Sequence, residues 1–241
     1  MADFIFADAL RLDTGPSRTF FDEFHKELVH KLNNQIGIVQ GFASLVMLDR
    51  DLTPDIKEHT QQILDSARAG ARLNQELLLA SGTSRCSRDE LTVASLFQHW
   101  RNKAQEYADR SGVHLQGNPT PASNRVWGDA SKLGEIIDRL LHNAVEAAAA
   151  VGNGSIALDL FAPGEASPGN TVDLFIRNTS APIEEKNLAK VFDPFYSTKG
   201  SGHLGLGMTT AAVLAGQMDM RLGISYADRT TTLWLAIPTE G

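Results

Sequence analysis

Two polar residues one helical turn apart, His30 and Asn34, carry side chains that can do chemistry. Apolar residues recur around them every three or four positions, which predicts an amphipathic helix; they are Leu28, Leu32, Ile36, Val39, Ala43 and Val46. Because His30 lies ~200° from Leu32 around such a helix, we expect it to face solvent. A neutral imidazole nitrogen on a rigid helix is a nucleophile that two partners can reach in turn.

A second set of candidate residues combines an amide oxygen with a glycine-rich run. Asn143 lies in the sequence LLHNAVEA of residues 140–147, and the run GSGHLGLG occupies residues 200–207. An amide oxygen suits a hard cation beside phosphate, although an alanine-rich helix also explains this stretch by propensity alone. Glycines let the backbone approach phosphates, and a helix predicted to begin at about Leu204 offers N–H groups to an anion.

Two kinds of structure must position these residues. Residues 17–50 and 54–81 are predicted helices, with Thr53 capping the second and Pro54 at its first position. The polar segment 81–90 reads as a domain boundary. Beyond it the pattern predicts helices at about 93–110, 129–151 and 204–217, and strands at about 113–116, 125–127, 155–162, 171–178, 221–226 and 231–237.

The predicted fold class is α+β. A helical hairpin occupies residues 1–84, and an α/β sandwich with helices on one face of a mixed sheet occupies residues 85–241. Two amphipathic helices cannot bury both of their apolar faces alone. We therefore predict that the hairpins of two chains associate as a four-helix bundle, which makes the protein a homodimer.

Composition narrows the class of protein. At 241 residues the chain can hold two modest domains, and its 42% apolar and 21% charged content is typical of soluble globular proteins. A net charge of −7 argues against a nucleic-acid partner, and no apolar run approaches the ~18 residues of a membrane span. One cysteine, Cys86, excludes an internal disulfide and favours a reducing cytoplasm.

Five motifs occur in one order, and together they resemble the two-component histidine kinases of the GHKL ATPase superfamily, whose ATP-binding domain has the Bergerat-type fold. The motifs are HKLNNQIGIVQGF at residues 30–42, resembling the phospho-acceptor box; LLHNAVEA at 140–147, the N box; NTSAPI at 178–183, in the place of the adenine motif; VFDPFYSTK at 191–199, the F box; and GSGHLGLG at 200–207, the glycine box.

The resemblance implies a role for individual residues. His30 is the implied phosphoryl acceptor, and Asn34 stands where a polar residue of the family positions water for dephosphorylating the partner regulator. Asn143 is the implied Mg²⁺ ligand. The residues implied to bind ATP are Glu135, Asn143, Asn178, Lys199, Gly202, Gly205 and Gly207.

Three departures from the family pattern all concern the use of ATP. Lys31 stands where the family has an acid after the histidine, and Arg139 replaces a second asparagine one turn before Asn143. Asn178 replaces the aspartate that accepts a hydrogen bond from adenine; it keeps a carbonyl acceptor but loses the charge that strengthens the bond. Pro182 follows where the family has a glycine.

These observations predict a cytoplasmic, dimeric, histidine kinase-like phosphotransferase. It passes phosphoryl groups through His30 to an aspartate in the receiver domain of a response regulator. The expected donor is ATP with Mg²⁺, and the signal is expected to come from a separate sensor or upstream kinase. Two alternatives stay open: an ATP-independent histidine phosphotransferase and a non-catalytic regulator-binding protein.

Overall fold

The computed structural model describes residues 4–7, 16–83, 85–117, 125–199 and 203–239, and of residues 16–23 it describes the backbone alone. The chain divides into two compact units. One spans Leu12–Ser84, and the other combines Met1–Arg11 with Arg85–Gly241.

The described residues form helices and strands in the following chain order: β1 (Ile5–Phe6), α1 (Pro16–Val46), α2 (Pro54–Ala80), β2 (Asp89–Thr92), α3 (Val93–Ser111), β3 (His114–Gln116), β4 (Arg125–Gly128), α4 (Ala130–Ala150), β5 (Ser155–Phe161), β6 (Thr171–Thr179), α5 (Glu185–Leu188), α6 (Gly207–Gln217), β7 (Arg221–Ala227) and β8 (Thr230–Pro238).

The first unit is a hairpin of α1 and α2, which pack against each other. Pro54 begins α2 and Thr53 Oγ1 accepts a hydrogen bond from Ile56 N (3.4 Å), so the predicted cap is confirmed. Only Val29, Ala43, Leu64 and Ala67 are buried among the described apolar side chains of the hairpin, whereas many large apolar side chains remain exposed. The exposed ones are Phe24, Leu28, Leu32, Ile38, Val39, Phe42, Leu45, Val46, Leu48, Ile56 and Ile63.

The hairpin therefore buries only a narrow stripe of its apolar surface. Its helices are long, yet among the described residues none is apolar enough along its length to cross a membrane.

The second unit is built on a mixed six-stranded sheet in the order β1-β7-β8-β6-β5-β3. β3 and β5 pair in parallel and the other pairs are antiparallel, while β2 and β4 form a separate antiparallel pair. Alternate residues of the long strands are buried, and α4 packs against β5 and β6 while α6 packs against β7. The predicted combination of helices with a mixed sheet is confirmed.

Aromatic side chains cover the side of the sheet that faces away from this core. Phe175 and Trp234 pair across β6 and β8 and stack with ring centroids 5.9 Å apart. Phe4 lies just before β1 and Phe6 lies in it, and both rings pack edge-on against Trp234, with ring centroids 5.2 and 5.3 Å apart. A Cβ added at Gly223 would lie 3.0 Å from the Phe6 ring, so this packing depends on a glycine in β7.

The structure differs from the predicted elements in five places. α1 ends at Val46 rather than at about Arg50, and the chain turns from residue 47. β1, β2 and α5 were not predicted: the first and last are only 2 and 4 residues long, and β2 lies in the segment predicted as a linker. The strand β2 carries exposed polar residues, so its pattern has no strong apolar alternation. The last helix begins at Gly207 rather than at about Leu204, because Gly205 adopts a φ of 66° that no right-handed helix contains.

A polar cluster joins α3 to α4, the helix that carries most of the candidate site. Tyr107 Oη donates to Asp138 Oδ1 (2.6 Å), and Lys103 Nζ lies 2.7 Å from the same atom. Burial and the bond to Asp138 raise the pKa of Tyr107 to about 12. Burial pushes the pKa of Asp138 up, but the bonds from Lys103 and Tyr107 outweigh it, so this pKa lies below its ordinary value.

We expect Asp138→Asn to lower the free energy of unfolding by about 1–2 kcal/mol near pH 7, because a bond to a charged acceptor is weakened. The folded pKa lies below the unfolded value, so the carboxylate's contribution is complete above the unfolded pKa and is lost as pH falls through the folded one. The deficit of the variant should thus disappear as the pH drops below 3.8. Urea midpoints measured across this range test it.

Asp109→Asn is the matched control, because Asp109 accepts a bond from Gln105 on the exposed face of α3 (2.7 Å). We expect it to change stability by no more than about 0.5 kcal/mol. A deficit in Asp138→Asn that is equally large in acid and at neutral pH would contradict the role given to the Asp138 carboxylate.

Candidate functional site

α4 is fixed at its start and along one side. The Asp129 carboxylate caps the helix, accepting bonds from Ser131 N (2.9 Å) and Lys132 N (3.0 Å), and it also accepts from Ser87 N (3.0 Å). Burial raises the pKa of Asp129, but these backbone bonds prevail and hold it below its ordinary value. Because the apolar side of α4 is buried, its polar residues emerge on one side at intervals of three and four.

Asn143 lies on this polar side and is held by a lysine. Lys199 Nζ donates to Asn143 Oδ1 (2.7 Å) and also forms an ion pair with the carboxylate of Glu146. Lys199 ends the segment predicted as the F box, and the structure brings it together with Asn143, a second residue predicted to bind nucleotide. Glu146 was not predicted as a site residue, although its position three residues after Asn143 places it on the same side of a helix.

Glu135 is hydrogen-bonded to Arg139, one of the residues that depart from the family pattern. Arg139 Nη2 donates to Glu135 Oε1 (2.6 Å), and the Arg139 side chain is only 13% exposed. A guanidinium is charged at any physiological pH, so Arg139 contributes a fixed positive charge one turn before Asn143. Arg139 cannot replace the oxygen of an asparagine, but its charge favours phosphate.

Asn178 lies near the end of β6 and is buried, with 3% of its surface exposed. Its Nδ2 donates to Thr179 O (2.9 Å), which leaves Oδ1 as an acceptor and the second Nδ2 hydrogen as a donor. The next residues are tied to β8 and the turn before it: Ser180 N donates to Arg229 O (3.0 Å), and the hydroxyls of Ser180 and Thr231 lie 2.8 Å apart. A buried amide on a fixed strand can form hydrogen bonds with one edge of a flat ligand.

The glycines of the glycine box play different parts. Gly202 lies outside the described residues. Gly205 adopts a φ of 66°, and a Cβ there would lie 2.6 Å from the Phe195 carbonyl carbon and 2.7 Å from Tyr196 O. Gly207 begins α6 and has open space around its Cα, so nothing in its surroundings requires a glycine.

A threonine not noticed in the sequence ties α6 to the F box. Thr209 Oγ1 donates to Phe192 O (2.9 Å) and is buried. Together with the close approach of Gly205 to Phe195, this bond fixes the start of α6 against residues 192–196. The F box and the glycine box, which are neighbours in the chain, are therefore also in contact in the structure.

The remaining predicted residues belong to the hairpin. His30 and Asn34 lie on α1 and both are exposed, so the expected orientation of the histidine is found. Between them, Asn33 Oδ1 accepts a bond from the buried Asn74 Nδ2 of α2 (3.2 Å). This contact fixes the rotation of α1 at the turn that presents His30. No local pattern predicts this contact, since the two asparagines are 41 residues apart.

Comparison with known proteins finds similarity over most of the second unit, called the C-terminal unit below. The family described as histidine kinase-, DNA gyrase B-, and HSP90-like ATPase matches residues 128–241. Sporulation kinase B of Bacillus subtilis (strain 168) is 25% identical over 227 residues, which is 92% of this chain and 50% of that protein. This chain spans about half the length, or less, of the curated relatives that it matches.

Solved structures share the fold. ShkA, solved at full length in complex with AMPPNP, has a TM-score of 0.73 at 19% identity, covering 91% of this chain and 46% of that one. The histidine kinase ThkA, solved in complex with the response regulator protein TrrA, has a TM-score of 0.58 at 18% identity, covering 90% of this chain and 61% of that one.

We expect Gly205→Ala to lower the free energy of unfolding by about 2–5 kcal/mol, from the left-handed φ and from overlap with backbone atoms of residues 195 and 196. Gly207→Ala should be neutral or stabilise by up to about 1 kcal/mol, because a helical glycine with open space gains from a methyl group. Urea unfolding of both variants measures the difference. Equal effects of the two substitutions would contradict the described loop.

Proposed function

We propose that this chain, a relative of the two-component histidine kinases with a GHKL-type ATP-binding domain, transfers phosphoryl groups through His30 to an aspartate of a response regulator. The observation that carries the proposal is the exposed imidazole of His30 on α1, with Asn34 exposed one turn further along. The resemblance of the sequence to this family is confirmed, and the residue roles below are proposals.

The His30 imidazole acts as the nucleophile. A ring nitrogen forms a bond to phosphorus while the bond from phosphorus to the donor's oxygen breaks, and the ring proton passes to solvent. The reverse displacement by an aspartate of the receiver domain then regenerates the imidazole. Lys31 cannot assist as a base in its charged form, so we assign His30 the transfer without help from that neighbour. Asn34 can orient a water molecule toward a phosphorylated aspartate.

ATP with Mg²⁺ is the proposed donor, and the residues around Asn143 fit both. The amide oxygen of Asn143 and the nearby carboxylate of Glu146 already share one cation, the Lys199 ammonium, and such oxygens suit Mg²⁺. Bound there, Mg²⁺ would neutralise charge on the nucleotide phosphates. We assign Asn143 to the metal, Lys199, Glu135 and the glycine box to the phosphate side, and Asn178 to adenine.

Two residues of the proposed ATP site favour a phosphoryl donor other than ATP. Asn178 lacks the charge that strengthens a bond to adenine, and Arg139 engages Glu135. A phosphorylated receiver domain can supply the phosphoryl group to His30 without any nucleotide. The chain would then be a phosphotransferase that carries groups between two regulators, with its signal supplied by an upstream kinase.

We further propose that the chain is a homodimer. The exposed apolar residues of α1 and α2, including Phe42 (67% exposed) and Leu45 (63%), are unfavourable in water and suit a second hairpin. A groove between the helices, lined by Ile36, Val39 and Ile63, offers space for side chains of the second copy.

A cytoplasmic setting accords with Cys86, a free thiol whose pKa is raised by burial and by Asp129.

We expect His30→Gln to abolish phosphorylation, lowering labelling at least about a hundredfold, because no other group can replace a covalent nucleophile. His25→Gln is the matched control on the same helix and should stay within about twofold. The measurement is filter-bound, acid-labile label from radioactive ATP with Mg²⁺. It is repeated with a panel of receiver domains phosphorylated by acetyl phosphate.

The outcomes separate the candidate functions. Label from ATP that is lost in His30→Gln supports the kinase, and label from phosphorylated receivers alone supports the phosphotransferase. Label from neither donor rejects both. In that case full signalling by His30→Ala in the cell would favour a protein that controls a regulator by binding it.

A further inference from the structure

The Lys199 ammonium lies where two oxygen-bearing side chains of α4 converge. Asn143 and Glu146 are three residues apart and therefore share one side of the helix. Lys199 Nζ donates to Asn143 Oδ1 (2.7 Å) and to the Glu146 carboxylate. The side chains of Lys199 and Glu146 are 33% and 30% exposed, so the pair is accessible to solutes. One amide oxygen and one carboxylate oxygen thus hold a single cation at a solvent-accessible position.

Two histidines also lie near Glu146. His142 Nδ1 lies 3.7 Å and His203 Nε2 lies 3.9 Å from Glu146 Oε1. Among the described residues no group of three or more His, Cys, Asp and Glu is arranged to hold a metal. A metal at this position would therefore take the two α4 oxygens from the protein and its remaining ligands from water or from phosphates. Mg²⁺ is commonly held in this way, by one or two protein oxygens with water and substrate phosphates.

We propose that Asn143 and Glu146 form a two-oxygen cation site in which Lys199 is the resident cation, exchanged for the metal of a metal–nucleotide complex. On exchange, the released Lys199 ammonium pairs with the nucleotide phosphates. The inference rests on the nucleotide-binding function proposed above and adds Glu146 as a second metal ligand. Its oxygen takes the place of the one that Arg139 cannot supply.

The physical basis is competition between two cations for the same oxygens. An ammonium and Mg²⁺ repel each other and cannot both contact Asn143 Oδ1, so binding one releases the other. Without metal, Glu146 repels phosphates and also holds Lys199 away from them. With metal, the same carboxylate attracts the complex. Glu146 therefore weakens the binding of free nucleotide and strengthens the binding of metal-bound nucleotide. If Glu146 and Lys199 formed a permanent structural ion pair, the effect of Glu146 on nucleotide affinity would not change sign with the metal.

Glu146→Gln in the full chain tests the change of sign, with AMPPNP binding measured by titration calorimetry in Mg²⁺ and in EDTA. We expect binding to weaken at least about tenfold in Mg²⁺, as for loss of a metal-site partner. In EDTA it should strengthen about three- to fivefold, the scale of a partly exposed ion pair. Glu106→Gln is the control: it removes one charge from an exposed pair with Arg110 on α3 and should alter neither value.

A second measurement needs no nucleotide and no activity. Lys199→Met vacates the two oxygens, so Mn²⁺ alone, followed by electron paramagnetic resonance, should bind at least about tenfold more tightly than to the unaltered chain. This gain should vanish in the double variant Lys199→Met with Glu146→Gln. Circular dichroism and urea midpoints verify that each variant is folded before binding is compared.

Two results would overturn the inference. One is Glu146→Gln changing AMPPNP affinity by the same factor with and without Mg²⁺, and the other is Lys199→Met gaining no affinity for Mn²⁺. If the unaltered chain binds no AMPPNP in either condition, the proposed ATP function fails. The Mn²⁺ measurement then decides alone whether the two-oxygen site exists, so the two failures are distinguishable.

Discussion

The burial of one side of α4 is the constraint on which the candidate site depends. Eight of its residues are buried in the core, and this continuous apolar face leaves the helix a single rotation against the sheet; the eight are Leu133, Ile136, Ile137, Leu140, Leu141, Ala144, Val145 and Ala148. Because the rotation is fixed, Glu135, Arg139, Asn143 and Glu146 must emerge together. The Asp129 cap and the bonds of Asp138 to α3 fix its position along the axis. Chemistry on the polar side is thus positioned by packing on the other.

The two units solve the problem of apolar burial in opposite ways. The C-terminal unit encloses its large residues, such as Trp100 and Phe97, at 2% exposure. The hairpin buries only a few of its described apolar side chains, Val29, Ala43, Leu64 and Ala67, and leaves most of its large ones exposed. A wide apolar exterior follows from this distribution. A surface of this kind is stable in water only when something covers it.

Regular periodicity made most of the fold predictable from sequence, and contacts distant in the chain account for what was missed. The long helices and strands carried clear apolar spacing. His30 is exposed as predicted, but Leu32, the apolar residue from which its angle was measured, is exposed as well. Glu146 contacts Lys199, 53 residues later, and Asn33 contacts Asn74, so neither contact could be predicted from neighbouring residues. The start of α6 was misplaced because the left-handed φ of Gly205 is imposed by tertiary contact rather than by the glycine itself. The roles of the site residues stay predictions.

The pairing of β1 with β7 changes the connectivity of the whole chain. Because residues 5 and 6 add a strand to the sheet before α1 begins, the hairpin is topologically an insertion into the C-terminal unit, joined to it by two chain segments. A protein cut at residue 85 to isolate that unit would lose its edge strand. It would leave the β7 edge unpaired and Trp234 without Phe4 and Phe6, a combination that promotes aggregation. Isolating the C-terminal unit intact therefore requires two separate chain segments, the one that contains β1 and the one that begins at residue 85.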